Sequence, residues 1–164
     1  MKSEFEIKIT TGSMYRFLIY HTYHGFSGIF SVVAGVVLLA LYFLFLRDSV
    51  NSWIYPAFGI LFLVYQPWTL YMGAAKQAKL NPVFKKPLRY SVTNDGITVS
   101  QETEANEASW ESVLKVRETG QSILVYTSAR SAFIWVKSQM GDQEDIVRKL
   151  LRAHVDPGKL KLKK

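Results

Sequence analysis

The sequence predicts an α+β membrane protein: a two-helix transmembrane hairpin, then a small antiparallel β barrel or sandwich closed by a C-terminal amphipathic helix. Three observations predict it. Apolar residues concentrate between Phe26 and Ala75, although the mean hydropathy of the 164-residue chain is only +0.07. From Leu88 to Lys137, short segments alternate apolar and polar residues, as strands do. A final apolar stripe at helical spacing comprises Ile146, Val147, Leu150 and Leu151.

Residues 1–25 are expected to form a cytoplasmic strand and a lead helix. Phe5, Ile7 and Ile9 alternate with polar residues, which suits a half-buried strand that pairs with an open sheet edge. The alternative is a disordered tail. Thr11-Gly12-Ser13 is expected to turn the chain into a helix that begins at Met14.

Residues 26–80 are predicted to form the transmembrane hairpin, with spans at about 26–46 and 53–72. Neither span carries a charge, and about 20 helical residues cross a hydrocarbon core of roughly 30 Å. A buried core helix is the competing interpretation, but a chain this short cannot wrap two such segments. Ser27, Ser31 and Gly35 form a small-residue stripe that lets another helix approach. The expected partner is the second span, and self-association is the alternative.

The distribution of positive charge predicts the orientation. The loop between the spans carries one positive and one negative charge, whereas both outer flanks are rich in lysine and arginine. Positive flanks stay in the cytoplasm. We therefore expect a multi-pass protein of the plasma or inner membrane, with both termini cytoplasmic and the loop outside.

Residues 81–156 are predicted to form the cytoplasmic β domain and its closing helix, with residues 157–164 as a basic tail that is mobile from Lys159 onward. Asn94-Asp95-Gly96 is expected to form a hairpin turn, the acidic run Gln101 to Glu107 a loop, and Asp142 the helix N-cap. Trp110 is expected to close the barrel against the final helix. The predicted core comprises Trp110, Val116, Ile123, Val125, Ile134, Ile146, Leu150 and Leu151.

Four segments of this domain carry a family resemblance. Tyr90 to Ile97 reads YSVTNDGI and Trp110 to Thr119 reads WESVLKVRET, followed by Ile123 to Tyr126 and Ala132 to Ile134. In this order they resemble the YcxB-like membrane proteins of bacteria. The resemblance implies two N-terminal membrane helices and a pleckstrin-homology-like (PH-like) domain, but no established activity. The family usually has Pro-Lys where this chain has Val136-Lys137, so the last strand is expected to run longer here.

The composition narrows the function classes. The chain has no cysteine, which excludes disulfides and thiolate chemistry. Its net charge of +7 is explained by cytoplasmic flanks, so we expect no nucleic-acid partner. There is no Gly-rich phosphate loop and no nucleophile–base motif, so we expect no enzyme activity, cofactor or catalytic residue.

Several residue groups are candidates for chemistry or binding. Candidate contacts to anionic lipid are Lys76, Lys79, Lys85, Lys86 and Arg89, which alternatively only fix the topology. A candidate partner surface contains Tyr126, Phe133 and Trp135, although strand aromatics are more often core. Candidate carboxylates for acid–base work are Glu102, Glu104 and Glu107, for which a solvated loop is the preferred interpretation.

The histidines give a weaker signal. His21 and His24 could share a helix face and hold a metal, but with no cysteine or nearby carboxylate an interfacial polar pair is preferred, and we expect no metal site. His154 is expected to complement the dipole at the end of the last helix.

These features together predict a membrane-anchored interaction or regulatory module that binds a protein partner or anionic lipid. The alternatives are an accessory subunit of a membrane transport complex and, less favoured, a small membrane-bound enzyme. The lipid bilayer is the one partner the sequence specifies directly.

Overall fold

The computed structural model describes residues 1–102 and 104–163. The chain divides into two compact units. The first, here called the β domain, comprises Met1–Met14 and Gln77–Lys164. The second, the helical unit, comprises Tyr15–Lys76. Because the β domain contains both ends of the chain, its fold depends on contacts between segments that are far apart in sequence.

The N-terminal segment is a strand, as predicted. β1 (Lys2–Ile7) pairs antiparallel with β2 (Leu88–Thr93). Its residues alternate between exposed and buried, and Phe5 and Ile7 lie in the core. Successive strand side chains point to opposite faces, so this alternation places one face of β1 inside.

The first sheet has the order β1-β2-β3-β4, with β3 at Gly96–Gln101 and β4 at Glu104–Ser109. The predicted β2–β3 hairpin is confirmed. A Cβ atom at Gly96 would lie 2.6 Å from the carbonyl oxygen of Ala108, so only glycine allows β4 to approach here. The acidic run that was predicted to be a loop instead contributes β4, and that prediction is wrong. β4 is an edge strand whose side chains are almost all exposed, so it shows no apolar alternation.

The second sheet has the order β7-β6-β5-β8. Its strands are β5 (Lys115–Glu118), β6 (Ser122–Tyr126), β7 (Ala132–Val136) and β8 (Leu160–Lys161). β8 pairs parallel with β5, so the predicted mobile tail is wrong for this stretch. β7 does not extend beyond Val136, because Lys137 begins the short helix α5 (Lys137–Met140). Another short helix, α4 (Pro82–Lys85), lies earlier in the chain and directly precedes β2.

The core of the β domain lies between the sheets and the C-terminal helix α6 (Gln143–His154). Trp135 of β7 contacts the rings of Phe5 and Tyr90, with centroid separations of 5.6 and 5.9 Å. α6 buries Val147, Leu150 and Leu151, which confirms the amphipathic helix. Predicted core residues that are buried are Val116, Ile123, Val125, Ile134, Leu150 and Leu151. Ile146 and Trp110 are only half-buried.

One predicted helix start is wrong, and another is confirmed in position but lacks the capping hydrogen bond. α1 (Thr11–Tyr23) already includes the predicted turn, because Thr10 caps it: the Thr10 hydroxyl accepts from the Ser13 backbone N–H at 3.1 Å. Asp142 does precede α6, but its side chain makes no capping hydrogen bond there. The acidic first turn, Glu144 and Asp145, complements the positive end of the helix instead.

The helical unit contains two long helices in contact. α2 (Phe26–Leu41) continues into a π-helical segment, Tyr42–Leu46, and α3 spans Ile54–Leu80. A Cβ atom at Gly35 would lie 3.0 Å from the Gly59 carbonyl oxygen, so the backbones approach closely.

Hydrogen bonds join the same faces of these helices. The Ser31 hydroxyl donates to the Phe62 carbonyl oxygen at 3.2 Å, and the Gln66 amide donates to the Ser27 hydroxyl at 3.4 Å. The small-residue stripe therefore faces the chain's own second helix, as predicted.

In the described part of the chain, one helix is long and apolar enough to cross a membrane. It is Phe26–Leu46, whose most apolar 18-residue stretch has a mean hydropathy of 2.8 and is only 6% buried. The second predicted span lies within α3, which does not meet the same criterion. The structure thus contains an α+β chain with a small β domain and one candidate span.

Candidate interaction surfaces

All five candidate lipid-contacting residues are exposed, but they differ in their partners. Arg89 donates two hydrogen bonds to a Glu6 carboxylate oxygen, at 3.2 and 2.9 Å, and Lys86 forms an ion pair with Glu102. The other three lysines make no ion pair within the described residues. Surface ion pairs are weak, so the charges of Lys86 and Arg89 are only partly neutralised, and both residues remain candidate lipid contacts. The lysines without an ion pair are Lys76, in the helical unit, and Lys79 and Lys85, in the β domain.

The predicted aromatic partner surface is wrong. Trp135 and Tyr126 are 0% and 1% exposed, and Phe133 is half-buried with its ring against Tyr90. β6 is buried on both faces, so a strand with alternating aromatics cannot be assumed to turn one face to solvent. These side chains stabilise the core. Burial also raises the pKa of the Tyr90 phenol, which keeps this core group neutral.

Trp110 joins the first sheet to the last helix from a half-exposed position. It stands in a 3₁₀ turn, Trp110–Ser112, and its ring stacks on His154 at 5.2 Å. Its indole N–H donates to the carbonyl oxygens of Thr93 and Asn94, at 3.2 and 3.0 Å. The expected contact with the final helix is therefore present, but at its exposed C-terminal end rather than in the core. This arrangement stabilises the β2–β3 turn.

A buried cluster of charges connects β5, α6 and the C-terminal segment. The Glu118 carboxylate is 1% exposed and accepts from Arg148 at 2.7 and 3.0 Å, and from Lys137. It also accepts from the Lys163 backbone N–H at 2.7 Å. Burial by itself would raise the pKa of Glu118, but the hydrogen bonds from Arg148, Lys137 and Lys163 lower it to about 2.

This cluster has a structural role. Arg148 also pairs with Glu144 at 2.6 Å, and its hydrogen bond with Glu118 is the main reason that its pKa is raised. A carboxylate that stays ionised at all ordinary pH values and is enclosed by cations does not exchange protons during a reaction. The sequence alone does not predict this cluster, because Glu118 is a polar residue on the same buried face of β5 as Val116, and its cations are distant in sequence.

The three candidate carboxylates lie at or beside β4. Glu104 and Glu107 are exposed on the strand, and Glu102 precedes it in a left-handed conformation with φ of 54°. An open pocket of about 520 Å³ adjoins the end of the strand. Its lining combines two carboxylates, Asp95 and Glu107, with hydroxyls and backbone. The pocket is lined by Thr93, Asp95, Gly96, Ile97, Thr98, Glu107, Ala108 and Ser109.

A second, mainly apolar groove of about 480 Å³ lies on the helical unit. Its polar members are Ser31, Gln66 and Thr69, and the side-chain amide oxygen Oε1 of Gln66 is buried without a donor in the described part of the chain. The remaining lining is aromatic or aliphatic: Phe58, Leu61, Phe62 and Tyr65. An amide among apolar helices is a feature that favours helix association.

The histidines make local contacts. His24 stacks on Tyr20 at 4.0 Å, and its Nδ1 lies 2.9 Å from the Tyr20 carbonyl oxygen. His21 stacks on Phe17. Within residues 1–102 and 104–163, no three histidine or acidic side chains are grouped in a way that could hold a metal ion.

Comparisons with models of protein families, with curated proteins and with solved structures found no match. The YcxB-like resemblance therefore stays a prediction from the sequence.

Proposed function

We propose that this chain is a membrane-anchored interaction or regulatory module at the inner face of the bacterial plasma membrane. In this proposal α2 and α3 form a two-span membrane hairpin, and the β domain is a PH-like module in the cytoplasm. The observation that carries the proposal is the apolar surface that both helices expose.

The exposed side chains on α2 and α3 are large and aliphatic or aromatic. On α2 and the segment that follows it, Phe30, Val36 and Phe45 are exposed, and on α3 the same holds for Ile60 and Val64. Monomeric proteins in water rarely expose apolar patches of more than a few hundred Å². A hydrocarbon environment removes that cost, since lipid is as apolar as these side chains.

The second helix supports a hairpin rather than a single anchor. No charged residue occurs from Ser49 to Ala75, a stretch long enough to cross the bilayer. α3 also satisfies polar groups of α2 through Ser31 and Gln66, and two helices that share such contacts insert favourably together. The two helices are therefore proposed to span as a pair.

The β domain supports the PH-like part of the proposal through its order of elements. Seven strands in two sheets precede a C-terminal amphipathic helix, and the strands consecutive in each sheet pair antiparallel. β8 is an additional strand after that helix. Such domains commonly serve binding rather than catalysis, and the buried Glu118 cluster offers no exposed reactive group.

The proposed binding partner is a protein or anionic lipid. Three exposed lysines form no ion pair with any described residue and suit an anionic leaflet, where each cation contributes about 1 kcal/mol: Lys76, Lys79 and Lys85. Lys86 and Arg89 already have carboxylate partners. In this proposal, lipid contact orients the β domain at the membrane, and a different surface of the domain binds the specific partner.

The membrane part of the proposal is tested by comparing Val36→Arg with Val50→Arg. Both valines are exposed, at 52% and 92%, but only Val36 lies in a proposed span. On a protein in water both changes would cost little. In a span, an arginine costs roughly 2.5–3.5 kcal/mol of insertion free energy. We expect wild type and Val50→Arg to stay in the membrane fraction during alkaline extraction, and Val36→Arg to be extracted. Equal behaviour of the two variants contradicts the proposal.

One feature favours a second candidate function, an accessory subunit of a membrane transport complex. The groove around Ser31, Gln66 and Thr69 offers another membrane helix a polar contact in an apolar setting. Affinity purification in mild detergent separates the candidates. Recovery of a transporter with wild type, and its loss with Gln66→Leu, would favour the subunit; identical recovery with both proteins would count against it.

A further inference from the structure

The outer edge of β4 is an open strand edge. β4 is the last strand of its sheet and, within the described residues, pairs only with β3. In a strand, alternate residues direct their N–H and C=O groups away from the neighbouring strand, so one side of β4 presents unpaired backbone groups. At the opposite edge of the same sheet, α5 and α6 pack against β1. An exposed edge is a template for another strand.

The charge at this edge is opposite to that of the whole chain. From Glu102 to Glu111 there are four glutamates and no lysine or arginine, in a chain with a net charge of +7. Glu104, Glu107 and Glu111 form no ion pair within the described residues, whereas Glu102 pairs with Lys86. This acidic edge therefore attracts a basic segment and repels an acidic one.

A pocket beside the strand provides a place for a cationic side chain. Glu107 of β4 lies opposite Thr98 of β3, and Asp95 stands on the adjoining turn. The two carboxylates and the hydroxyls of Thr93 and Ser109 surround an open volume of about 520 Å³. Lysine and arginine carry only donors, and this lining supplies acceptors.

We propose that the β4 edge binds an extended, basic segment of a partner protein by strand addition, with one lysine or arginine side chain in the pocket between Asp95 and Glu107. Backbone hydrogen bonds to β4 supply affinity, and the carboxylates select the partner's charge. The inference rests on the proposed interaction function and names the chemistry of its partner.

Two other occupants fit less well. A second copy paired through its own β4 would bring Glu104 and Glu107 of both copies together, and like charges across strands are destabilising. The chain's own basic C-terminal segment is already bound elsewhere: β8 pairs with β5, and Arg117 donates to the Lys159 carbonyl oxygen at 2.9 Å.

The test uses the full-length chain in mild detergent and a fluorescent peptide that alternates lysine with threonine. We expect saturable binding that weakens with salt, and slower amide hydrogen exchange in Glu104–Ser109 when the peptide is bound. Two control peptides separate the contributions. One replaces lysine with glutamate and removes charge attraction; the other replaces threonine with proline, which keeps the charges but removes backbone donors. Both control peptides should bind more weakly than the lysine–threonine peptide.

Variants of the protein locate the contact. Asp95→Asn with Glu107→Gln removes both pocket charges without changing side-chain shape, and should weaken binding severalfold. Asp145→Asn removes one exposed charge on α6 and should leave binding unchanged.

The inference is overturned by equal binding of the proline peptide, by no exchange protection in β4, or by β4 protection in a dimer without peptide. These outcomes do not depend on membrane insertion, so a failed extraction test and a failed binding test are distinguishable.

Discussion

The β domain and the helix pair α2–α3 place similar side chains in opposite environments. In the β domain Trp135 and Tyr90 are 0% and 2% exposed, whereas Phe43 and Trp68 of the helical unit are 66% and 62% exposed. Water drives large apolar groups into an interior, so a single aqueous solvent does not explain both arrangements. The proposed membrane hairpin accounts for the difference, because it places the two regions in two different solvents.

The contacts inside each region differ in the same way. The β domain is held together by aromatic and aliphatic packing, with Phe5, Tyr90 and Trp135 in mutual contact. α2 and α3 meet instead through Gly35 and Gly59. In lipid, helices gain nothing from burying apolar surface, and small residues that permit close backbone contact dominate their interfaces. The proposed membrane hairpin explains these different contacts, and the following changes test the contacts of each region.

The largest effect is expected from deleting residues 2–10. This removes β1 and with it the buried side chains of Phe5, Ile7 and Ile9. Each contributes about 1.5–3 kcal/mol by burial, so the β domain should lose cooperative unfolding, measured by circular dichroism on heating. Glu6→Ala, on the exposed face of β1, should change stability by less than about 1 kcal/mol. An unchanged melting temperature after the deletion would show that β1 is dispensable.

The next effect concerns the aromatic core. Trp135→Ala should lower the unfolding free energy by about 3–5 kcal/mol in denaturant titrations, because it removes the side chain that joins the sheets. Trp135→Phe should cost less, since the indole N–H has no acceptor in the described part of the chain. Trp110→Ala should also cost less, because Trp110 is half-exposed. If Trp110→Ala cost more than Trp135→Ala, the assignment of the core would be wrong.

Much of the fold was predictable because apolar patterns record burial on one face. The alternation in β1, β2 and β3 and the stripe on α6 predicted these elements correctly. β4 was missed because Glu104 to Ser109 is exposed on both faces and has low strand propensity; its pairing with β3 forms it. β8 was missed because two residues are too few for a pattern, and pairing with β5 decides their structure.

The third effect follows from the buried charge cluster. Glu118→Ala leaves Arg148 and Lys137 without their shared partner, and should cost about 3 kcal/mol, the lower end for buried pairs because both cations retain some exposure.

Acid should produce the same loss. The pKa of Glu118 is about 2 when folded and about 4.3 when unfolded, so its contribution is complete above about pH 5 and is lost as pH falls towards 2. Stability measured between pH 5 and 2 should fall less steeply in Glu118→Gln than in wild type. Parallel curves would exclude this role.

The smallest effect is expected in the helix pair. Gly35→Leu would place side-chain atoms against the Gly59 carbonyl oxygen, 3.0 Å from the new Cβ, and this backbone atom cannot rotate away. We expect a loss of about 1–3 kcal/mol in detergent unfolding of the helical unit. Val36→Leu, at an exposed position one residue away, should be neutral. Equal stability of the two variants would mean that α2 and α3 do not pack through Gly35.

The surfaces were less predictable than the fold. The sequence identified Lys76, Lys79, Lys85, Lys86 and Arg89 as exposed cations, but not the carboxylates that pair with two of them, because Glu6 is distant in sequence from Arg89. It left Tyr126 and Trp135 as candidates for either a partner surface or the core, because alternation alone cannot show whether a second layer covers the other face of the sheet. The Asp95–Glu107 pocket also depends on strand pairing.

The central claim, that α2 and α3 cross the membrane as a hairpin, is tested most directly by cysteine accessibility in intact cells. The chain has no cysteine, so Ser49→Cys and Ala129→Cys each introduce a single thiol, in the loop between the helices and in an exposed turn of the β domain. The account predicts that a membrane-impermeant maleimide labels Ser49→Cys in intact cells and Ala129→Cys only after lysis. Protection of Ser49→Cys until lysis, or labelling of Ala129→Cys in intact cells, would contradict it.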